Sequence, residues 1–263
     1  MAQINPELIR IAARQVRVWR GGSGASLLLL HGGFGDAQWH WHTVWETLGD
    51  SFHVVAPDLP RFGNTVELPH LSFAELVEWL ARVQELVGMQ NAAVVGNSFG
   101  GALARLYAAA HPERVTRLIL VDGGHIAQLP KFARALAGAA FWAPMFELLR
   151  RQAFSENSIR RAFANPAHAT PDVIRASQAA SYGFVALMRQ VVLSEPPASR
   201  TPSQPTLLVW GERDRLAPLA RAYKVAAEIP QAQLAVIKNA GHVPQLEDPL
   251  SFVKIVRDFC GAA

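Results

Sequence analysis

Three residue types that together can make a nucleophile stand at the ends of apolar runs in this chain. Ser98 lies in "VVGNSFGG" (94–101), with Gly96 and Gly100 two residues to either side. At ordinary glycine frequencies of ~7%, a bare Gly-x-Ser-x-Gly turns up by chance in roughly one chain in ten, so context has to decide. A serine hydroxyl needs a base, and the base needs an orienting carboxylate. "VWGERDRLAP" (209–218) offers Glu212 and Asp214, and "NAGHVPQLEDP" (239–249) offers His242. Asp214 is preferred because it lies further into its loop, where a short carboxylate reaches back to an imidazole. Asp122, closing "LILVD", is the second candidate acid; its structural alternative is hydrogen bonding to loop amides. The order serine, acid, histidine suits a serine on a sharp strand-to-helix turn.

The same chemistry needs backbone donors for a developing oxyanion. One is expected from the N–H of Phe99, the residue after the serine. The other is expected from "HGGF" (31–34), with Gly33 preferred and Phe34 the neighbour. His31 then supports that loop and is no second base. Among the other histidines, His111 falls on a helix's last turn, His53 in or beside a strand, and His70 and His168 in loops.

Elements that could hold these residues are legible. "SLLLLHGG" (26–33), "FHVVAPD" (52–58), "AAVVGNS" (92–98), "TRLILVDGG" (116–124), "TLLVWGE" (206–212) and "AQLAVIKNAGH" (232–242) read as strands. Most are continuous apolar runs, as parallel strands buried on both faces require. "QVRVWR" (15–20) alternates instead, which suits an antiparallel edge strand. Between them, "SFAELVEWLARVQELV" (72–87) opens with Ser72 and Glu75, a capping box. "DPLSFVKIVRDFC" (248–260) opens with Asp248 and Pro249, a helix start. "FGGALARLYAAAHPE" supplies the helix after Ser98, the context its glycines need. Strand–helix alternation means a mostly parallel sheet with helices on both faces.

That alternation breaks between Asp122 and Thr206. The intervening stretch reads as helical, with an apolar first half containing Phe132, Leu136, Phe141, Trp142, Met145 and Phe146. An inserted helical cap over 125–201, on a core of 1–124 and 202–263, is the expected organisation. "SEPPASRTPSQP" (194–205) reads as the returning linker. Residues 125–200 hold nine Lys/Arg against four Asp/Glu, while the rest of the chain is near balance. That basic excess is expected to be a solvated face, or else to turn one arginine, Arg175 or Arg189, towards a substrate carboxylate.

Composition closes off other classes. Half the residues are hydrophobic and 17% are charged, enough for a sizeable core and too apolar for disorder. A nucleic-acid partner would call for a denser basic stripe with interleaved aromatics. The longest greasy stretch, "ALAGAAFWAPMF" (135–146), is too short to span a bilayer and contains Pro144. The first twenty residues lack the apolar core of a signal peptide, so a cytoplasmic location is expected. The single cysteine, Cys260, permits no intramolecular disulfide.

Taken together, "LLLLHGG", "GNSFGG", "GERD" and "GHVPQLEDP" resemble the motifs of the α/β-hydrolase superfamily. The resemblance covers nearly the whole chain apart from about 125–200, where that family places its cap. It implies an eight-stranded, mostly parallel sheet flanked by helices. Ser98 separates the chain from look-alikes that carry aspartate as nucleophile. "GNSFGGA" is similar to the "G-N-S-M-G-G" of enzymes that hydrolyse carbon–carbon bonds in aromatic ring-cleavage products. Phe99 here replaces the methionine, and Val243 stands where those enzymes tend to carry tryptophan. The family's "D-x-x-G-x-G" loop appears as "DLPRFGN" (58–64). The expected activity is serine hydrolysis of small, largely apolar esters. Phe34, Trp39, Phe99, Phe141, Trp142, Phe146, Arg189 and Val243 are candidate pocket residues. Carbon–carbon bond hydrolysis and a slow-turnover hydrolase-fold receptor are the alternatives. A small-molecule substrate is the expected partner, with no metal, organic cofactor, nucleic acid or membrane span, and with monomer and homodimer both open.

Overall fold

The computed structural model describes residues 2–63, 71–125, 143–195 and 201–261. The strands are β1 (Ile4–Ile11), β2 (Arg14–Gly21), β3 (Ala25–Leu30), β4 (Phe52–Pro57), β5 (Ala92–Asn97), β6 (Val115–Val121), β7 (Thr206–Gly211) and β8 (Gln233–Ile237). They form one sheet in the order β1-β2-β4-β3-β5-β6-β7-β8. β3 to β8 run parallel, while β2 is antiparallel to both β1 and β4. The stretch expected to be the edge strand is therefore second in the sheet. β1 takes the edge, and its sequence hid it: "INPELIRI" is mostly exposed, shows no apolar alternation, and carries Pro6, which an edge strand tolerates.

Continuous apolar strands bury both faces here. Leu28 and Leu30 of β3 point into one core with Val94 and Leu103, while Leu27 and Leu29 point into the other with Trp41 and Phe252. Successive side chains in a strand point to opposite sides, so only a run without polar gaps can fill two cores. The first core is covered by α3 (Phe73–Leu86), α4 (Phe99–Ala110) and later α8 (Ala220–Glu228). The second is covered by α1 (Ala37–Trp41), α2 (Trp45–Gly49) and α10 (Pro249–Cys260). α3 starts with the expected capping box: Glu75 N–H donates to Ser72 Oγ, and Ser72 N–H to Glu75 Oε2.

Between β6 and β7 lie α5 (Ala143–Ala153), α6 (Glu156–Ala162) and α7 (Pro171–Leu193). Thr170 caps α7, with Pro171 in its first turn. Ile159, Ala162, Phe163 and Ile174 form a third, smaller core with Val243. Residues 126–142 and 196–200, and with them Phe132, Leu136, Phe141, Trp142 and part of the returning linker, lie outside the described residues, as does His70. No described helix is long and apolar enough to cross a membrane.

Candidate active site

Ser98 sits between the end of β5 and the start of α4, at φ +53 and ψ −113. A non-glycine residue at positive φ costs on the order of 1–3 kcal/mol and persists only where its surroundings over-determine it. Here they do. Ser98 N–H donates to Val121 O at 2.8 Å, which locks the turn to β6. A side chain on Gly96 would strike the carbonyl of Gly100, and one on Gly100 would strike the carbonyl of Leu30. The flanking glycines are thus required by backbone-to-backbone approach, and the serine side chain is what is left facing out.

His242 reaches Ser98 from the loop after β8. Its Nε2 lies 2.9 Å from Ser98 Oγ, and its Nδ1 lies 2.7 Å from Asp214 Oδ2. The other Asp214 oxygen accepts from the N–H groups of Leu216 at 2.7 Å and Ala217 at 2.9 Å. Glu212 faces away and accepts instead from Asn239 N–H. The His242 backbone is pinned from three sides. Asn97 Nδ2 donates to its carbonyl at 3.1 Å, its own N–H donates to Ala162 O at 2.7 Å, and the preceding Gly241 N–H donates to Glu247 Oε1 at 2.6 Å. Asn97 and Glu247 are positioning residues that the sequence reading passed over; their signal was weak, a polar residue ending an apolar strand and an acid in a short helical turn.

Asp122 joins the same end of the sheet. It is buried, and one ligand-type atom each from Asp122, Asp214 and His242 fall within 4.8 Å of one another. Burial, then the nearby Asp214 charge, push the Asp122 carboxyl well above the ordinary carboxylate range.

The loop after β3 faces Ser98 from the other side. No hydrogen bond engages the N–H of Gly33 or Phe99 among the described residues. His31 is buried, with Nδ1 2.8 Å from Gly32 O and Nε2 accepting from Leu59 N–H at 2.9 Å. Burial pushes it down to about 4, and burial with the neighbouring His31 lowers His40 as well. The loop ends in Asp36, which caps α1 and pairs with Arg17 at 2.6 Å. Arg17 also binds Asp58 at 2.6 Å, and Asp58 accepts from Ala37 N–H at 3.0 Å. Burial, then the Asp36 charge, raise Asp58 to about 6.

A cavity of about 320 Å³ opens on Ser98 and His242. Gly33, Phe34 and Phe99 line it, with Phe154, Phe184 and Met188 from the helical segment. Phe146 and Arg189 line an adjoining apolar recess of about 220 Å³ instead. There the Arg189 guanidinium lies 5.3 Å from the centre of the Phe146 ring. Val243 does not face the cavity, because α6 and α7 bury it in the third core. Trp39 packs against that core and sets its ring edge-to-face on His40. Arg175 is exposed and paired with Asp172 on its own helix. The cation that does line the Ser98 cavity is Arg221, on the first turn of α8, with no ion-pair partner among the described residues. Sequence alone gave it no mark, since it sits in an ordinary amphipathic helix.

A strained serine at a strand-to-helix turn, on the carboxyl ends of a mostly parallel sheet, defines a hydrolase of the α/β class. The chain belongs to the alpha/beta hydrolase fold family, whose model matches residues 25–249. It is 31% identical to 2-hydroxymuconate semialdehyde hydrolase of Pseudomonas sp. strain CF600, over 99% of this chain and 96% of that protein. It is 29% identical to the pimeloyl-[acyl-carrier protein] methyl ester esterase of Aeromonas hydrophila, over 94% of this chain and 99% of that protein. Among solved structures, a meta-cleavage product hydrolase from Pseudomonas fluorescens IP01 superposes with a TM-score of 0.77 at 26% identity, covering 97% of each chain.

Proposed function

We propose that the protein is a serine hydrolase of small, largely apolar esters, with Ser98, His242 and Asp214 as its reacting set. The observation that carries this reading is the unbroken chain of contacts from Asp214 through His242 to Ser98 Oγ at the floor of an apolar cavity. Ser98 Oγ attacks the ester carbonyl carbon while His242 Nε2 takes its proton. Asp214 holds the ring through Nδ1 and stabilises the imidazolium. The Gly33 and Phe99 N–H groups receive the oxyanion. His242 then protonates the departing alcohol, and water, activated by the same imidazole, cleaves the acyl-enzyme. In this reading residues 125–201 form a cap whose Phe154, Phe184 and Met188 close the apolar side of the cavity.

Steady turnover of short p-nitrophenyl esters tests it. Ser98→Ala is expected to lower kcat by on the order of 10⁴–10⁶ with the fold intact. Retention of more than a few per cent of wild-type activity would remove Ser98 from its role.

Carbon–carbon bond hydrolysis is the second reading, favoured by the likeness to 2-hydroxymuconate semialdehyde hydrolase and by the free cation of Arg221 in the cavity. A panel of esters, lactones and vinylogous diketones separates the two. If diketones bearing a carboxylate turn over faster, and Arg221→Ala weakens them alone, the second reading stands.

A further inference from the structure

Asp122 has a function to account for. It closes β6 at the sheet end that carries Ser98, and its φ of +46 is another strained backbone at this site. Its Oδ1 accepts from Gly211 N–H at 2.9 Å, tying the end of β6 to the end of β7. Its Oδ2 is buried and has no hydrogen-bond partner among the described residues. Buried polar atoms are almost always paired, so an orphan of this kind calls for a cause.

The surroundings limit what that oxygen can be. The ionisable groups facing it are Asp214 from the loop after β7, His242 from the loop after β8, and Glu247 of α9 (Pro244–Glu247). Among the described residues, no arginine or lysine is hydrogen-bonded to it. The imidazole is already engaged, by Asp214 at one nitrogen and Ser98 at the other. Glu247 accepts from the N–H groups of Gly241, Ala164 and Asn165, and it lies outside the 4.8 Å cluster that Asp122, Asp214 and His242 form. An ionised Asp122 would set a second buried anion beside Asp214, with the Gly211 amide its one hydrogen-bond donor among the described residues. Two carboxyl groups sharing a site settle that conflict by keeping one proton between them. The acceptor still open to such a proton is Asp214, whose two oxygens can take about four hydrogen bonds and have three.

We infer that Asp122 is a positioning residue: its Oδ2 carries a proton and donates it to the Asp214 carboxylate, holding that carboxylate against the His242 ring. The strong upward push of burial on Asp122 agrees with this. The inference rests on Asp214 and His242 being the reacting pair. It differs from the role of a second acid, since a protonated Asp122 orients the charge on Asp214 and adds none of its own.

The test compares Asp122→Asn with Asp122→Ala in pH profiles of kcat/KM on a p-nitrophenyl ester. Asparagine reproduces a neutral carboxyl here, with Oδ1 accepting from Gly211 and Nδ2 donating to Asp214. The Asn variant is expected within about threefold of wild type, with its acid limb unmoved. The Ala variant loses a hydrogen bond to a charged group and is expected to fall on the order of tenfold. Asp214, one donor poorer, then holds imidazolium more tightly, so the acid limb moves to higher pH. Were Asp122 ionised in the wild type, Asp122→Asn would remove a negative charge beside the imidazole and move the limb to lower pH. That result overturns the inference, as does an Asn variant as impaired as the Ala one. If the Ala variant does not fold, the limb of the Asn variant decides alone. Inactive Ser98→Ala and His242→Ala enzymes show that the reacting set stands, so a failure at Asp122 is read separately from a failure there.

Discussion

The strand ends around Ser98 and the helical segment 143–193 meet at one cavity but are held by different forces. At the strand ends, position comes from the main chain. Ser98, Asp122, His242 and Asp214 are each fixed by backbone amides or carbonyls of neighbouring strands and loops. The helical segment holds itself together with surface pairs a turn apart, such as Glu147 with Arg150 and Arg151, Glu156 with Arg160, and Asp172 with Arg175. Such pairs at the surface contribute little to stability, because water and salt screen them. The segment meets the loop after β3 through Ser177 Oγ, which donates to Phe34 O at 2.9 Å, and leaves Met145, Leu148, Leu149 and Tyr182 exposed. Four of the six arginines in this segment are paired on their own or the preceding turn of helix. On the proposed function, the strand ends carry the chemistry and the helical segment shapes the apolar side of the cavity.

The largest expected effect strikes the strand ends. Asp214→Asn should cost about 10⁴ in kcat, because the amide favours the wrong imidazole tautomer. Burst kinetics with a p-nitrophenyl ester should show acylation slowed rather than substrate binding lost. An Asp122→Asn loss larger than that of Asp214→Asn would move the orienting acid to β6 and blur the comparison.

A smaller effect tests the loop facing Ser98. His31 is neutral in the fold and driven down to about 4, while an unfolded histidine titrates near 6.5. Between those values the unfolded chain binds more protons, so the stability His31 contributes is present above about pH 6.5 and is lost as pH falls through about 4. In urea unfolding, the advantage of wild type over His31→Gln should shrink by about 3 kcal/mol across that window. A gap that stays constant with pH would mean that the imidazole is not neutral and buried as described.

The smallest effect falls on the helical side. Phe184 packs edge-on to Phe99 and Phe154, and a side chain at Gly33 would come within 2.7 Å of its ring. Phe184→Ala should raise KM several-fold for a bulky apolar ester, about 1 kcal/mol of lost apolar contact, while kcat changes little. A loss in kcat matching that of Asp214→Asn would show that the two regions do not divide the work this way.

Much of this was readable in one dimension. Leu27 to Leu30 announce a doubly buried strand because no polar residue interrupts them. Ser72 with Glu75, and Asp248 with Pro249, mark helix starts through local hydrogen bonds that need no distant partner. The edge strand β1 was not readable, since an edge facing water puts no constraint on side-chain alternation. Nor was the orientation of Arg189 or Val243, each of which goes where neighbouring helices leave room.

Sequence by itself determined which residue types stand at which strand ends, and so the order Ser98, Asp214, His242 along the chain. Spacing could rank Asp122 against Asp214 only by loop length. The fold separates their positions: the turn after β7 sets Asp214 2.7 Å from the imidazole and spends its other oxygen on two amides, whereas Asp122 is held on Gly211. Hydrogen bonds close over about 3 Å, and residues 28 and 144 positions apart come that near only when the sheet sets the register of its strands. The same holds for Arg221, an unremarked helix residue until the end of β7 brought it to the cavity.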